Sequence, residues 1–151
     1  MWYHPPMPQP DRHLPDVHPQ RDLPSTLEGL LAIAVAALAA DAGAVYLVDA
    51  DAGDLRLVAA LGLTPAALGH RLAPGDGLVG RIVAERRSLV SDDVALDPRA
   101  LHRRADWDAE PTTHAFLGVP LRAGTLAIGA IELTRRREAP FTPEARGHAQ
   151  V

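Results

Sequence analysis

Two pairs of adjacent apolar runs, each pair joined by a short turn, constrain this chain more than any other feature. Ala44–Val48 and Leu55–Ala60 read as strands, and the Asp-Ala-Asp-Ala-Gly-Asp stretch between them supplies turn residues, so the two form an antiparallel hairpin. His114–Leu121 and Thr125–Thr134 form a second hairpin around Arg122, Ala123 and Gly124. Gly118 and Gly129 fall inside these strands, where glycine lets another group approach the backbone. A shorter run, Ser88 to Val90, reads as a further strand. The first turn superficially suggests a calcium loop at Asp49–Gly53, but no glutamate stands at the twelfth position, so a plain turn is expected.

Helix signals fill the intervals. Ser25 reads as an N-cap with Glu28 completing a capping box and Pro24 just outside, which places Leu27, Leu30, Leu31, Ala34 and Leu38 on one helical face. The same region contains the apolar run Gly29–Ala40, which resembles the core of a secretion signal. Asp22 and Glu28 flank it where a positive region belongs, and it is too short to span a bilayer, so a packed helix is expected. Thr64 and Pro65 start a short helix that Gly69 stops. Thr142 and Pro143 open a last helix that runs only to Val151 and is therefore expected to be truncated. Residues 1–22 are rich in proline and histidine without apolar periodicity and are expected to form a disordered tail; the irregular spacing of His4, His13 and His18 sets no metal geometry. Residues 23–151 then form one domain.

Gly75, Gly77 and Gly80 satisfy the GxGxxG pattern of dinucleotide sites. Such a loop needs a buried strand before it, and His70–Pro74 is polar and ends in proline. The helix that follows runs from about Leu78 to Arg87, and the acidic pair Asp92 and Asp93 arrives too early to hold a ribose. An NAD-dependent enzyme is thus the third of three readings.

Composition narrows the partners. Hydrophobic residues make up 47% of 151 residues, enough for one core, but only 4% are aromatic, so that core is aliphatic around Tyr46, Trp107 and Phe116. A net charge of -4 removes the attraction that nucleic acid or an anionic membrane requires, and neither is an expected partner. Without cysteine there is no disulfide, thiolate nucleophile or thiolate metal site, and the expectation is a soluble cytoplasmic protein. The polar segment from Ser91 to Thr113, broken by Pro98 and Pro111, is long for a structureless loop; it reads as a lid with a short helix near Arg99–Ala105.

The segments Gly75–Arg99 and His114–Ala145 together resemble a GAF sensory domain. Gly75–Gly80, Asp93–Arg99 and Phe116–Leu121 are most similar to the amino-terminal GAF domain of nitrogen-type phosphoenolpyruvate-protein phosphotransferases and related bacterial regulators. The resemblance implies an α+β fold: a GAF/PAS-like antiparallel sheet with helices packed on one face and a lid-like loop with short helices on the other. It implies a pocket for a small-molecule metabolite between sheet and lid, lined by Tyr46, Leu78, Ile82, Val90, Asp92, Asp93, Arg99, His114, Phe116 and Ile128. Arg99 and His114 carry the most weight among these, because an anionic ligand needs a fixed donor in an aliphatic site. The resemblance also implies a non-catalytic signalling role, homodimerisation through the terminal helices and transmission to an output or partner domain.

Features that members of the family use for more than binding are missing. There is no cysteine for methionine sulfoxide reduction or chromophore attachment, and no Asn-Lys-Phe-Asp-Glu set for a cyclic nucleotide. A haem would need an axial histidine from His70, His102 or His114, and a lone histidine is more often a structural group, so no cofactor is expected. The runner-up reading is a ligand-free dimerisation and interaction module.

Overall fold

The computed structural model describes residues 19–100, 114–136 and 141, with the backbone alone for residues 19–22, 114 and 136. The elements are α1 (Pro19–Ala37), β1 (Ala42–Val48), β2 (Leu55–Leu61), a single 3-10 turn (Pro65–Ala67), β3 (Arg71–Leu72), α2 (Gly77–Glu85), β4 (Leu89–Ser91), β5 (His114–Ala123) and β6 (Leu126–Arg136). The six strands form one antiparallel sheet in the order β3-β2-β1-β6-β5-β4. Both hairpins read from the sequence are present, and β1 and β6 join them at the centre, pairing Ala42 with Thr134 and Leu47 with Gly129.

Helices lie on both faces, which is why β1 is buried along most of its length instead of alternating. Val45 of β1 faces α1, in a cluster with Leu31, Ala59, Ala115, Leu117, Leu133 and Phe141. Ala44 and Tyr46 face α2, in a cluster with Leu55, Leu57, Leu78, Val79, Ile82, Val83, Leu89, Phe116 and Ala130.

Helix α1 begins at Pro19, ahead of the Ser25 cap expected from the sequence, and carries Pro24 inside it. Proline's fixed φ is itself helical, so the chain continues through it at the loss of one backbone bond near a free end. Of the expected stripe, Leu31 is fully buried and Leu27, Ala34 and Leu38 are half-buried. Leu30, one residue and about 100° away from Leu31 on the helix, is 56% exposed.

The glycine-rich loop before α2 has a packing reason. The Gly75 N–H donates to the Gly80 carbonyl at 2.8 Å, and a Cβ on Gly80 would meet the Ala73 carbonyl oxygen at 2.6 Å and the Gly75 nitrogen at 3.0 Å. The strand feeding this loop, β3, is a two-residue edge strand, unlike the central strand of a dinucleotide site. At the other end of α2, Arg86 adopts the left-handed conformation, and its carbonyl accepts a hydrogen bond from the Arg122 guanidinium.

Several local readings shift. The second hairpin turns at Gly124 and Thr125, one to two residues past its expected centre at Ala123. Arg135 and Arg136 belong to β6 because the strand continues to pair with β5, and the Arg135 guanidinium lies 5.5 Å from the Phe141 ring centre. The Asp49 turn is held by its own carboxylate, which accepts from the Asp51 and Ala52 N–H groups, while the Arg71 fork ties Asp49 and Asp54 to β3. Of the expected helix at Arg99–Ala105, residues 97–100 form a turn and 101–105 lie outside the described residues, as does the expected last helix from Thr142. The proline- and histidine-rich stretch up to residue 18 lies outside them too. Among the described residues no helix is long and apolar enough to cross a membrane.

Candidate functional site

Four of the ten predicted site residues, Tyr46, Leu78, Ile82 and Phe116, meet on the face covered by α2. Helical spacing places Leu78 and Ile82 on the inner side of α2, at 5% and 0% exposure, above Tyr46 of β1 and Phe116 of β5. Ile82 seats where the strand has no side chain: a Cβ on Gly118 would run into Ile82 Cδ1 and lie 2.7 Å from Phe116 Cζ. The segment after β4 closes over the same cluster through Val94 and Ala100.

Other predicted residues are placed differently. Val90 points to the opposite face, into the α1 cluster, because Leu89 and Ser91 on either side of it take the α2 face. Ile128 is 42% exposed and belongs to neither cluster; it lies at a bulge where Leu121 faces Gly129 and Arg122 faces Ala127. Asp92 is exposed and Asp93 half-buried, with an Asp93 carboxylate oxygen accepting the Ala95 N–H at 3.0 Å. The backbone of His114 opens β5 opposite Arg136.

Arg99 lies in the segment over the site, but its fork is engaged. Its Nε and Nη2 donate to the two oxygens of Asp97 at 3.0 and 2.8 Å, and Nη2 also donates to the Val90 carbonyl at 3.0 Å. The Asp97 carboxylate also accepts the Arg99 N–H at 2.9 Å and a hydrogen bond from Ser91. The Arg99 side chain foremost, then the Arg99 N–H and Ser91, hold the Asp97 carboxyl well below the usual carboxylate range, against the opposing effect of burial. The cluster pins the segment to β4 and leaves the guanidinium with its charge matched.

Three polar residues are buried on this face: Ser91 at 7% exposure, Glu132 at 6% and Thr134 at 1%. Glu132 and Thr134 alternate along β6 with Ile131 and Leu133, which belong to the α1 cluster, and so point toward α2. Glu132 sits between Ala44 on β1 and Gly118 on β5; Thr134 sits between Ala42 and Phe116. Sequence reasoning missed all three. The alternation in Ile131–Thr134 marks the polar pair as solvent-facing, and only the presence of α2 on the second face reverses that reading. Among the described residues, no group of three or more potential metal ligands occurs.

The opposite face carries an apolar opening of about 210 Å³ between α1 and the sheet, lined by Ala34, Ala37, Leu38, Leu117, Val119, Ile131 and Leu133. Beside it, α1 turns Leu23, Leu30 and Ile33 outward at 51, 56 and 67% exposure.

The sequence profile of the GAF domain family matches residues 20–150. A Nif-specific regulatory protein of Azospirillum lipoferum is 35% identical over 118 residues, which are 76% of this chain and 18% of that protein. The chain thus spans about a fifth of the length of that curated relative. The GAF domain structure of a phosphoenolpyruvate-protein phosphotransferase from Coxiella burnetii superposes with a TM-score of 0.73 at 26% identity, covering 83% of this chain and 74% of that one. A type II free methionine-R-sulfoxide reductase from Thermoplasma acidophilum shares the fold, with a TM-score of 0.70 at 21% identity and 86% of each chain covered.

Proposed function

The chain belongs to the GAF domain family, and from that premise we propose that it is a non-catalytic regulatory module of a cytoplasmic bacterial signalling protein, which binds a small metabolite on the α2 face and passes its occupancy to an output or partner domain. The observation that carries this reading is the burial of Ser91, Glu132 and Thr134 on the face of an otherwise largely apolar cluster. A core that needs only packing gains little from buried polar groups even when they are hydrogen-bonded, whereas a ligand site needs a few of them to fix orientation. The regulatory role of the matched relative supports it. The mechanism is a shift of populations: a ligand that prefers the segment after β4 closed over the site moves the equilibrium only by its difference in affinity between the two states.

The experiment is a thermal-shift screen of the purified chain against amino acids, amines, 2-oxo acids, nucleotides and haem. A ligand at about 100 times its dissociation constant adds roughly 2.7 kcal/mol, which raises the melting temperature of a chain this size by several degrees. One class giving a concentration-dependent rise bears out the sensor. A folded protein that responds to none would overturn it.

A second reading has its own observation. The exposed α1 stripe and the apolar opening beside it suit the docking of another helix, as in a ligand-free interaction module that dimerises through α1. Sedimentation of the chain and of Leu30→Ser separates the two: dimerisation lost in the variant, with no ligand response in either, supports this reading.

A further inference from the structure

We propose that the surface around the C-terminus of α2 is a docking site for a short acidic segment of a partner protein, gripped by the guanidinium groups of Arg86, Arg87 and Arg122. The inference is independent of what the α2 face binds.

The charge here is local and opposite in sign to that of the rest of the chain. Arg81, Arg86 and Arg87 come from α2 and its exit, and Arg122 reaches the same place from β5, where its guanidinium donates to the Arg86 carbonyl. Glu85 stands among them, 3.8 Å from Arg81 and 2.9 Å from Arg87. Four arginines against one glutamate leave +3, whereas the whole chain stands at -4, so everything else carries -7. Among the described residues neither Arg86 nor Arg122 meets a carboxylate, and an arginine stays charged whatever surrounds it.

Arg86 is a costly choice where it stands. Its φ of 56° is left-handed, and helices that end in this conformation usually place glycine there, because a side chain is strained. A cation near a helix C-terminus gains from the helix dipole, but Arg122 already supplies one at the terminal carbonyl. What Arg86 adds is an exposed guanidinium with its donors free, and that fork matches a carboxylate. Arg86, Arg87 and Arg122 are all exposed, so they offer a surface and not an enclosed site for a small anion. A membrane or a long nucleic acid would extend beyond the patch over surface of its own sign, whereas a short acidic segment meets the arginines alone.

The test titrates the chain into fluorescein-labelled hexaglutamate and follows anisotropy at low and physiological salt, with hexalysine as the control and phosphatidylglycerol vesicles and duplex DNA as rival anions. The expected result is saturable binding of hexaglutamate that weakens as salt rises, and none of hexalysine. In the double variant Arg86→Gly with Arg87→Gln the affinity falls roughly 3- to 10-fold, the range of one or two exposed ion pairs, while Arg56→Gln, at an exposed position on β2, leaves it unchanged. Arg86→Gly alone melts no lower than wild type, because glycine suits the backbone there. No saturable binding of hexaglutamate, a loss as large in Arg56→Gln as in the double variant, or tighter binding of vesicles or DNA than of the peptide each overturns the proposal. A lower melting temperature in Arg86→Gly overturns it too, since Arg86 would then be held in place by a structural role.

Discussion

The α1 face and the α2 face of the sheet are drawn from the same alternating strands, yet they solve different problems. Toward α1 the strands present Val45, Leu117 and Leu133, with no buried polar side chain of β6 among them, and the covering helix leaves an apolar opening and an outward stripe. Toward α2 the neighbouring positions present Tyr46 and Phe116 together with Ser91, Glu132 and Thr134. Polarity on one side and unfilled apolar surface on the other match the two proposed readings, a small ligand on the α2 face and a larger partner on the α1 face.

The sharpest way to break this comparison is to hollow out each face in turn. Leu31→Ala and Ile82→Ala remove fully buried side chains from opposite faces, and each is expected to lower unfolding stability by about 3 kcal/mol in a urea titration. If the faces are specialised, only Ile82→Ala also weakens ligand binding beyond that loss of stability. A gentler intrusion is Gly118→Ala, whose new methyl meets Ile82 and Phe116; about 1–3 kcal/mol of overpacking is expected, relieved in part when Ile82 is trimmed to Val in a double-mutant cycle.

Acid probes the α2 face through Asp97. Its carboxyl is depressed in the folded state, so its stabilisation is present above the unfolded carboxylate value near 4 and is lost as pH falls below it. Because the Arg99 side chain is 37% exposed, the effect is screened, and Asp97→Asn is expected to cost about 1 kcal/mol at pH 7. Urea titrations of both proteins should converge as pH is lowered through that range. The smallest effect belongs to the α1 surface: Ile33→Ser is expected to change stability by less than about 0.5 kcal/mol, while altering self-association or partner binding if that stripe is used.

Much of this architecture was legible because its hairpins announce themselves locally. Ala44–Val48 and Leu55–Ala60 needed only apolar runs and a turn, and the glycine-led helix needed only its spacing. What was hidden depends on the second layer. Glu132 and Thr134 look solvent-facing to any rule based on a sheet with one covered face, and Val90 is placed in the pocket by the family resemblance alone, since a three-residue strand gives alternation too little length to fix its parity. Arg99 enters the site through the family resemblance, and its charge sets its weight there. That Asp97, two positions away, would claim both prongs of its fork is a matter of turn geometry, which composition does not carry. The early start of α1 escaped because proline reads as a boundary even where its φ suits the helix.

The seam between β1 and β6 has a consequence for how the protein is made. A ribosome that has released everything through β4 has produced two helices and half a sheet, in which Ala42–Val48 still lacks the partner strand that will flank it at the centre. That partner is the last strand described. Closing the sheet therefore waits for an encounter between distant parts of the chain, a slow kind of step, during which an apolar edge stays open to wrong neighbours. Synthesis rate and chaperone access over that interval are thus expected to govern the yield of folded protein more strongly than stability does.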